Sequence, residues 1–252
     1  FYPVGDDKKA RLRVKWSAKT GFDLKNKFVV GCVARNQPRK HMDRVLKSMA
    51  IFASFAKDAP DALLLLHADP NDSAQVFPLK ELAKRYRIEH KIVWTNMTAL
   101  QGIPDDDMYE IYNLFDVKLD TTSGEGFGIT LIEAMACGVP VIVTDYTTTK
   151  EIVTDNNAGL GIRLLGEKER LYDGKAESVI TNQVTGGWGV ERGVNDNVHA
   201  GELLLSCYED WKKGGKWLKE MGDNGRKAVL RDYDFDGVVY PKWKKLFERM
   251  LQ

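Results

Sequence analysis

The chain of 252 residues is 43% hydrophobic, 29% charged and 10% aromatic, a globular composition that excludes disorder as its overall state and suits one large domain with room for an insertion. A net charge of +1, from 37 Lys and Arg against 36 Asp and Glu, gives no reason to expect nucleic acid as a partner. No apolar run reaches the roughly 18 residues of a membrane span, Phe1-Tyr2-Pro3-Val4 opens no signal peptide, and Cys32, Cys137 and Cys207 lie too far apart for a zinc cluster or disulfide framework, so a reducing, cytoplasmic setting is expected.

Residues 1–27 form a lead or linker segment. Charge is uneven here: residues 1–48 hold 13 Lys and Arg against 4 Asp and Glu, and the basic stretch from Lys8 to Lys27 reads as a solvated surface. From residue 28 the chain alternates short runs rich in Val, Ile and Leu (28–34, 62–68, 91–95, 116–120 and 140–144) with helical patterns near 41–57, 75–87, 106–115 and 129–137. The runs lack period-two alternation, as expected of strands covered on both faces. The pattern predicts an α/β fold, a doubly wound parallel sheet spanning 28–252, whose ligands bind at the strands' carboxyl ends. Residues 166–197, polar and rich in glycine, read as an inserted loop or hairpin. Helices follow near 198–213, 215–232 and 236–251, the last with Val239, Trp243, Leu246, Phe247 and Met250 in a stripe that must bury against something.

The segment from Thr121 to Pro140 carries the densest chemistry. It reads as a strand exit, a turn with Gly124, Gly126 and Gly128, and a helix closed by Gly138 and Pro140. Alternating glycines let backbone amides approach a ligand, and the helix N-terminus suits a phosphate. Glu133 lies on an otherwise apolar helix, one turn beyond Ile129, so it either meets a cation of the fold or faces a pocket. Arg35 directly follows the first strand and Lys40 opens the next helix, placing two cations where a diphosphate could sit, while Arg39 reads as solvated. Asp105-Asp106-Asp107 has a cation-binding spacing, yet a helix start explains it better. The four His show no paired spacing, and neither a GxxxxGK[ST] loop nor a GxGxxG turn is found.

Glu125 and Glu133, separated by seven residues within Glu-Gly-Phe-Gly-Ile-Thr-Leu-Ile-Glu-Ala-Met-Ala-Cys-Gly-Val-Pro, resemble the signature of retaining GT-B glycosyltransferases that use nucleotide sugars. Val30 to Arg35 with Pro38-Arg39-Lys40 resembles the same family's diphosphate segment. The resemblance covers about residues 28–165. It implies that Arg35 and Lys40 hold a donor diphosphate, that Glu133 binds ribose hydroxyls, and that Glu125 contacts the transferred sugar. The amides of Gly126, Phe127, Gly128 and Ile129 would lie beside sugar and phosphates, and the nucleobase near Thr95, Asn96 and Met97. Two departures stand out. His41 occupies a place where glycine is common, and Tyr146 to Thr149 replaces a usual glycine pair.

The resemblance further implies metal-independent transfer without a cofactor, the nucleoside diphosphate sugar being the substrate. It makes this chain the donor-binding, C-terminal half, opening in what resembles an interdomain linker. A missing N-terminal domain would hold the acceptor and could carry peripheral membrane association, and an apolar patch left by its absence would favour self-association. Two other readings remain: a noncatalytic nucleotide-sugar-binding assembly module, and a GT-B sugar-nucleotide epimerase.

Overall fold

The computed structural model describes residues 1–70, 76–95, 102–165 and 192–251, together with the backbone of 168–170 and 177–179. Six parallel strands form the central sheet in the order β3-β2-β1-β4-β5-β6: β1 Phe28–Val33, β2 Ala62–His67, β3 Ile92–Trp94, β4 Val117–Asp120, β5 Val141–Thr144 and β6 Gly159–Ile162. The first five match the expected apolar runs. The sixth was not expected, because Gly159-Leu160-Gly161-Ile162 offers little β propensity. Close neighbours explain the composition: a Cβ on Gly159 would fall 1.8 Å from the Val141 carbonyl oxygen.

Alternate residues of β1, β2, β3 and β5 enter two cores. Phe28, Val30 and Cys32 of β1 pack with α2 (Met42–Phe55), α3 (Leu79–Arg85) and α6 (Asn197–Lys212). Val29 and Val33 pack on the other face with α1 (Asp6–Thr20), α4 (Asp105–Leu114) and α5 (Ile129–Ala136). Helix α7 (Lys216–Asp232) bridges the two, giving Leu218 and Met221 to the first core and Ala228 and Val229 to the second. Each fully buried large apolar side chain contributes about 1.5–3 kcal/mol, so the two-faced burial of β1 dominates its placement. The inserted segment includes an antiparallel pair, β7 Lys168–Arg170 and β8 Glu177–Val179.

The lead segment departs from the solvated surface expected of Lys8 to Lys27. It contains α1, started by Asp6 and Asp7 and stopped by Gly21 at φ 77°. Its inner face is buried, with Trp16 only 1% exposed. The outer lysines misled the composition reading, because a mean over the segment hides the one stripe formed by Leu12, Arg13 and Trp16. Asp116, at the entry to β4, holds this helix: it accepts hydrogen bonds from Lys9 at 2.9 Å, Arg13 at 2.7 Å and the Val29 amide at 2.8 Å. Burial pushes the Asp116 carboxyl up, but Lys9 and Arg13 outweigh it and hold it below its ordinary value.

The C-terminal stripe is uncovered among the described residues. A π-helical turn, Phe235–Val239, leads into α8, Tyr240–Met250, none of whose residues is buried. Trp243, Leu246, Phe247 and Met250 are 45–73% exposed, so helix periodicity predicted the stripe while nothing among the described residues covers it. No helix among the described residues is long and apolar enough to cross a membrane.

Asp116→Asn should cost about 3 kcal/mol in chemical denaturation, since it leaves two cations without their buried partner, and should speed amide exchange in α1. Because the folded carboxyl titrates below its ordinary value of 3.8, the wild-type advantage is present above that pH and fades as pH falls through the folded value.

Candidate functional site

The sheet order changes direction between β1 and β4, with β2 and β3 on one side and β5 and β6 on the other. Crossovers leaving to opposite faces open a crevice at the carboxyl ends of these two strands. The loops after them, Ala34–His41 and Thr121–Gly128, meet there. The Arg39 carbonyl oxygen joins them, accepting from the Ser123 amide at 2.7 Å, the Ser123 hydroxyl at 3.1 Å and the Thr122 hydroxyl at 3.2 Å. Thr121 adds a hydrogen bond from its hydroxyl to the His41 carbonyl at 2.9 Å.

This joining brings Lys40 and Glu125 together, 85 residues apart in sequence. Lys40 is 9% exposed and its ammonium donates to Glu125 Oε1, which also accepts from Arg39 at 2.8 Å. Arg39, expected to be solvated, keeps its side chain 37% exposed while its guanidinium pairs with this carboxylate. Arg35 stands exposed on the same edge. Gly128 takes φ 77° at the start of α5, a left-handed conformation in which a Cβ is costly. The turn presents Phe127 and Ile129 to solvent, and the first amides of α5 lack intrahelical acceptors. The Thr148 hydroxyl, from the loop after β5, donates to the Gly126 carbonyl at 3.1 Å and braces the turn.

Glu133 lies apart from that cluster. Its partner is the Tyr112 hydroxyl of α4, donating at 2.7 Å, and not a cation; no ion pair involves Glu133 among the described residues. Burial raises its carboxyl above the ordinary carboxylate value, with the Tyr112 hydrogen bond opposing. Thr95 follows β3 at the outer edge of the sheet, buried, with its hydroxyl 3.0 Å from His67 Nδ1. Asn96 and Met97 lie outside the described residues.

Sequence reasoning missed a buried ion pair beneath the crevice. Lys118 and Asp120 on β4 are 0% and 3% exposed and 2.9 Å apart. The signal was present: two charges two residues apart in an apolar strand share a face. Burial pushes the Asp120 carboxyl up, yet Lys118 and then Lys40 outweigh it and keep it ionised. A separate cavity of about 800 Å³ opens by Pro140 and Gly215, at the amino ends of the strands; in its wall Lys9 and Arg13 pair with Asp116, while Arg13 Nε has no hydrogen-bond partner.

Both departures from the family pattern fall on left-handed backbone, His41 at φ 45° and Thr147 at φ 53°. The sequence thus accepts strain at two turns bordering the crevice. His41→Gly should be more stable than His41→Ala by about 1 kcal/mol, because both lose the imidazole while only alanine keeps a Cβ at positive φ. Denaturant midpoints of the two variants measure the difference.

Comparison with known proteins agrees with this architecture. The profile of the family described as Glycosyl transferases group 1 matches residues 14–164. Mannosylfructose-phosphate synthase of Agrobacterium fabrum is 30% identical over 149 residues, covering 57% of this chain but 30% of that protein. The structure of Anabaena HepE in complex with UDP superposes with a TM-score of 0.69 at 17% identity, over 98% of this chain and 54% of that one. The C-terminal domain of the group 1 glycosyl transferase LpcC from Francisella tularensis gives 0.60 at 18% identity, covering 94% and 97%. The chain thus spans about a third of that curated relative, with a Rossmann-like sheet of the GT-B type. The parallel sheet, the paired loops at its reversal and the profile match over more than half the chain lead to one assignment: the chain belongs to the glycosyl transferases group 1 family.

Proposed function

We propose that the chain is the donor-binding, C-terminal unit of a retaining, metal-independent glycosyltransferase that takes a nucleoside diphosphate sugar. The observation that carries this reading is the cluster of Arg39, Lys40 and Glu125 against the glycine turn, at the reversal of the sheet. Two cations sharing one carboxylate leave positive charge beside the amides of Gly126, Phe127, Gly128 and Ile129, a setting that favours phosphate. In this reading Lys40 and the exposed Arg35 grip the diphosphate, and Glu125 turns from its cations toward the transferred sugar as the phosphates replace it. Glu133 accepts from ribose hydroxyls, and Thr95 marks the nucleobase end. The same charges then stabilise the departing nucleoside diphosphate, whose negative charge grows as the glycosidic bond breaks. HepE, crystallised with UDP, supports a nucleotide ligand for this fold.

A single doubly wound unit supplies one wall of a cleft, whereas transfer needs an acceptor hydroxyl held against the sugar with water excluded. The chain by itself is therefore expected to bind donor without transferring sugar. Sustained acceptor-dependent turnover by the purified chain, given its tightest nucleotide sugar and a panel of acceptors, would overturn that expectation.

Lys40→Ala or Arg35→Ala should weaken a nucleoside diphosphate roughly ten- to 150-fold while changing nucleoside affinity little, since each removes one charge-assisted contact of about 1.5–3 kcal/mol. Calorimetry with UDP, GDP, ADP and their nucleosides decides the matter, and equal losses for both ligand classes would remove the assignment. Glu133 adds a pH signature. Its raised carboxyl protonates on acidification above the ordinary carboxylate value of 4.5, so affinity for nucleoside and nucleoside diphosphate alike should decline there, and Glu133→Gln should abolish that acid limb with little loss of stability.

A further inference from the structure

The segment that returns from the insertion, Arg192 to Asn195, docks on the crevice. The Gly193 amide donates to the Ser123 carbonyl at 3.0 Å, the Leu165 amide to the Val194 carbonyl at 2.7 Å, and Arg44 of α2 to the Asn195 carbonyl at 2.8 Å. Gly193 leaves no room for a side chain, since a Cβ there would lie 2.8 Å from the Tyr146 ring. Asp196 then caps α6 through the amides of Val198 and His199. The backbone that carries Arg192 is thus fixed from four directions.

This anchoring puts the Arg192 guanidinium against the glycine turn. One of its terminal nitrogens lies 3.3 Å from where a Cβ on Gly124 would stand, with the Thr147 hydroxyl oxygen 3.9 Å from the same point. Gly124 also faces Arg39, whose guanidinium reaches its carbonyl at 3.4 Å. Arg192 Nε is buried with no hydrogen-bond partner, and among the described residues no ion pair neutralises the group. Glu125, the neighbouring carboxylate, is taken by Lys40 and Arg39. Arg39, Lys40 and Arg192 therefore cluster about Gly124 and Glu125 with one negative charge among three positive ones. An arginine so placed offers a planar fork of donors to a multivalent anion.

We infer that Arg192 is a further donor-site residue, contacting a phosphate oxygen of the nucleoside diphosphate from the side opposite Lys40. This inference rests on the diphosphate reading of the crevice. It also gives the insertion a role, because the insertion's returning end delivers the cation. The spacing between Gly124 and Arg192 constrains the turn as well: a methyl at Gly124 would push the guanidinium aside, so Gly124→Ala should act in the same direction as loss of Arg192.

The test is calorimetry on the full chain with UDP, GDP and ADP, each compared with its nucleoside, for wild type, Arg192→Gln, Arg192→Lys and Lys40→Ala, with melting temperatures measured alongside. Arg192→Gln is expected to weaken the best diphosphate about tenfold, leave the nucleoside unchanged and hold the melting temperature, with Arg192→Lys intermediate because it keeps the charge without the fork. Wild-type diphosphate affinity in Arg192→Gln, with Lys40→Ala weakened, would overturn the role of Arg192 and leave the site reading standing. Equal losses of diphosphate and nucleoside accompanied by a lower melting temperature would make Arg192 a brace of the turn and also overturn it. Unchanged affinity in both Arg192→Gln and Lys40→Ala, or no diphosphate binding by wild type, would sink the site reading itself.

Discussion

The Arg39 carbonyl oxygen, shared by the Ser123 amide and the hydroxyls of Thr122 and Ser123, is the contact on which the crevice depends. It fastens the loop after β1 to the loop after β4, and each donor would otherwise be a buried polar group in need of a partner. With the loops fastened, Lys40 and Glu125 meet while both are largely shielded from water. Their attraction is then stronger than at an open surface. In the proposed reading a nucleoside diphosphate displaces Glu125 from cations whose loops are already fastened, so the loops themselves need not rearrange on binding.

Electrostatics extends the arrangement inward. Lys118 and Asp120 form a pair without solvent on the face of β4 that also carries α4 and α5, and Asp120 is close enough to Lys40 to feel its charge. A buried pair of this kind is weak support for stability, since desolvation offsets most of the attraction. Its effect is positional. An ionised Asp120 accepts from the Thr122 amide at 3.1 Å, and Thr122 in turn bonds to the Arg39 and Gly124 carbonyls. Charge in the sheet is thereby coupled to the geometry of the turn above it.

Two strained turns lie at the same edge. His41 and Thr147 hold left-handed backbone without being glycine, each at a cost of order 1–2 kcal/mol. The two cores on either side of the sheet supply the stability that offsets it, and the bracing bonds of Thr121 and Thr148 keep the turns from relaxing.

Much of this was legible in the sequence. Apolar runs without alternation named five strands, because burial on both faces is written into consecutive residues. The spacing from Glu125 to Glu133 and the glycines between them marked the turn and helix of the site. Gly159 to Ile162 escaped because a strand built from glycines carries no apolar run. Arg39's carboxylate and Glu133's tyrosine hydroxyl were not foreseen, since partners 86 and 21 residues away leave no local trace. The sequence by itself determined the elements, their order and the residue types available at the crevice, because propensity and periodicity act over a few neighbours. Tertiary structure alone decided which charges meet, that α1 buries one face while α8 buries none, and that Arg192 reaches Gly124, because those outcomes follow from strand order and loop docking, which join residues far apart in the chain.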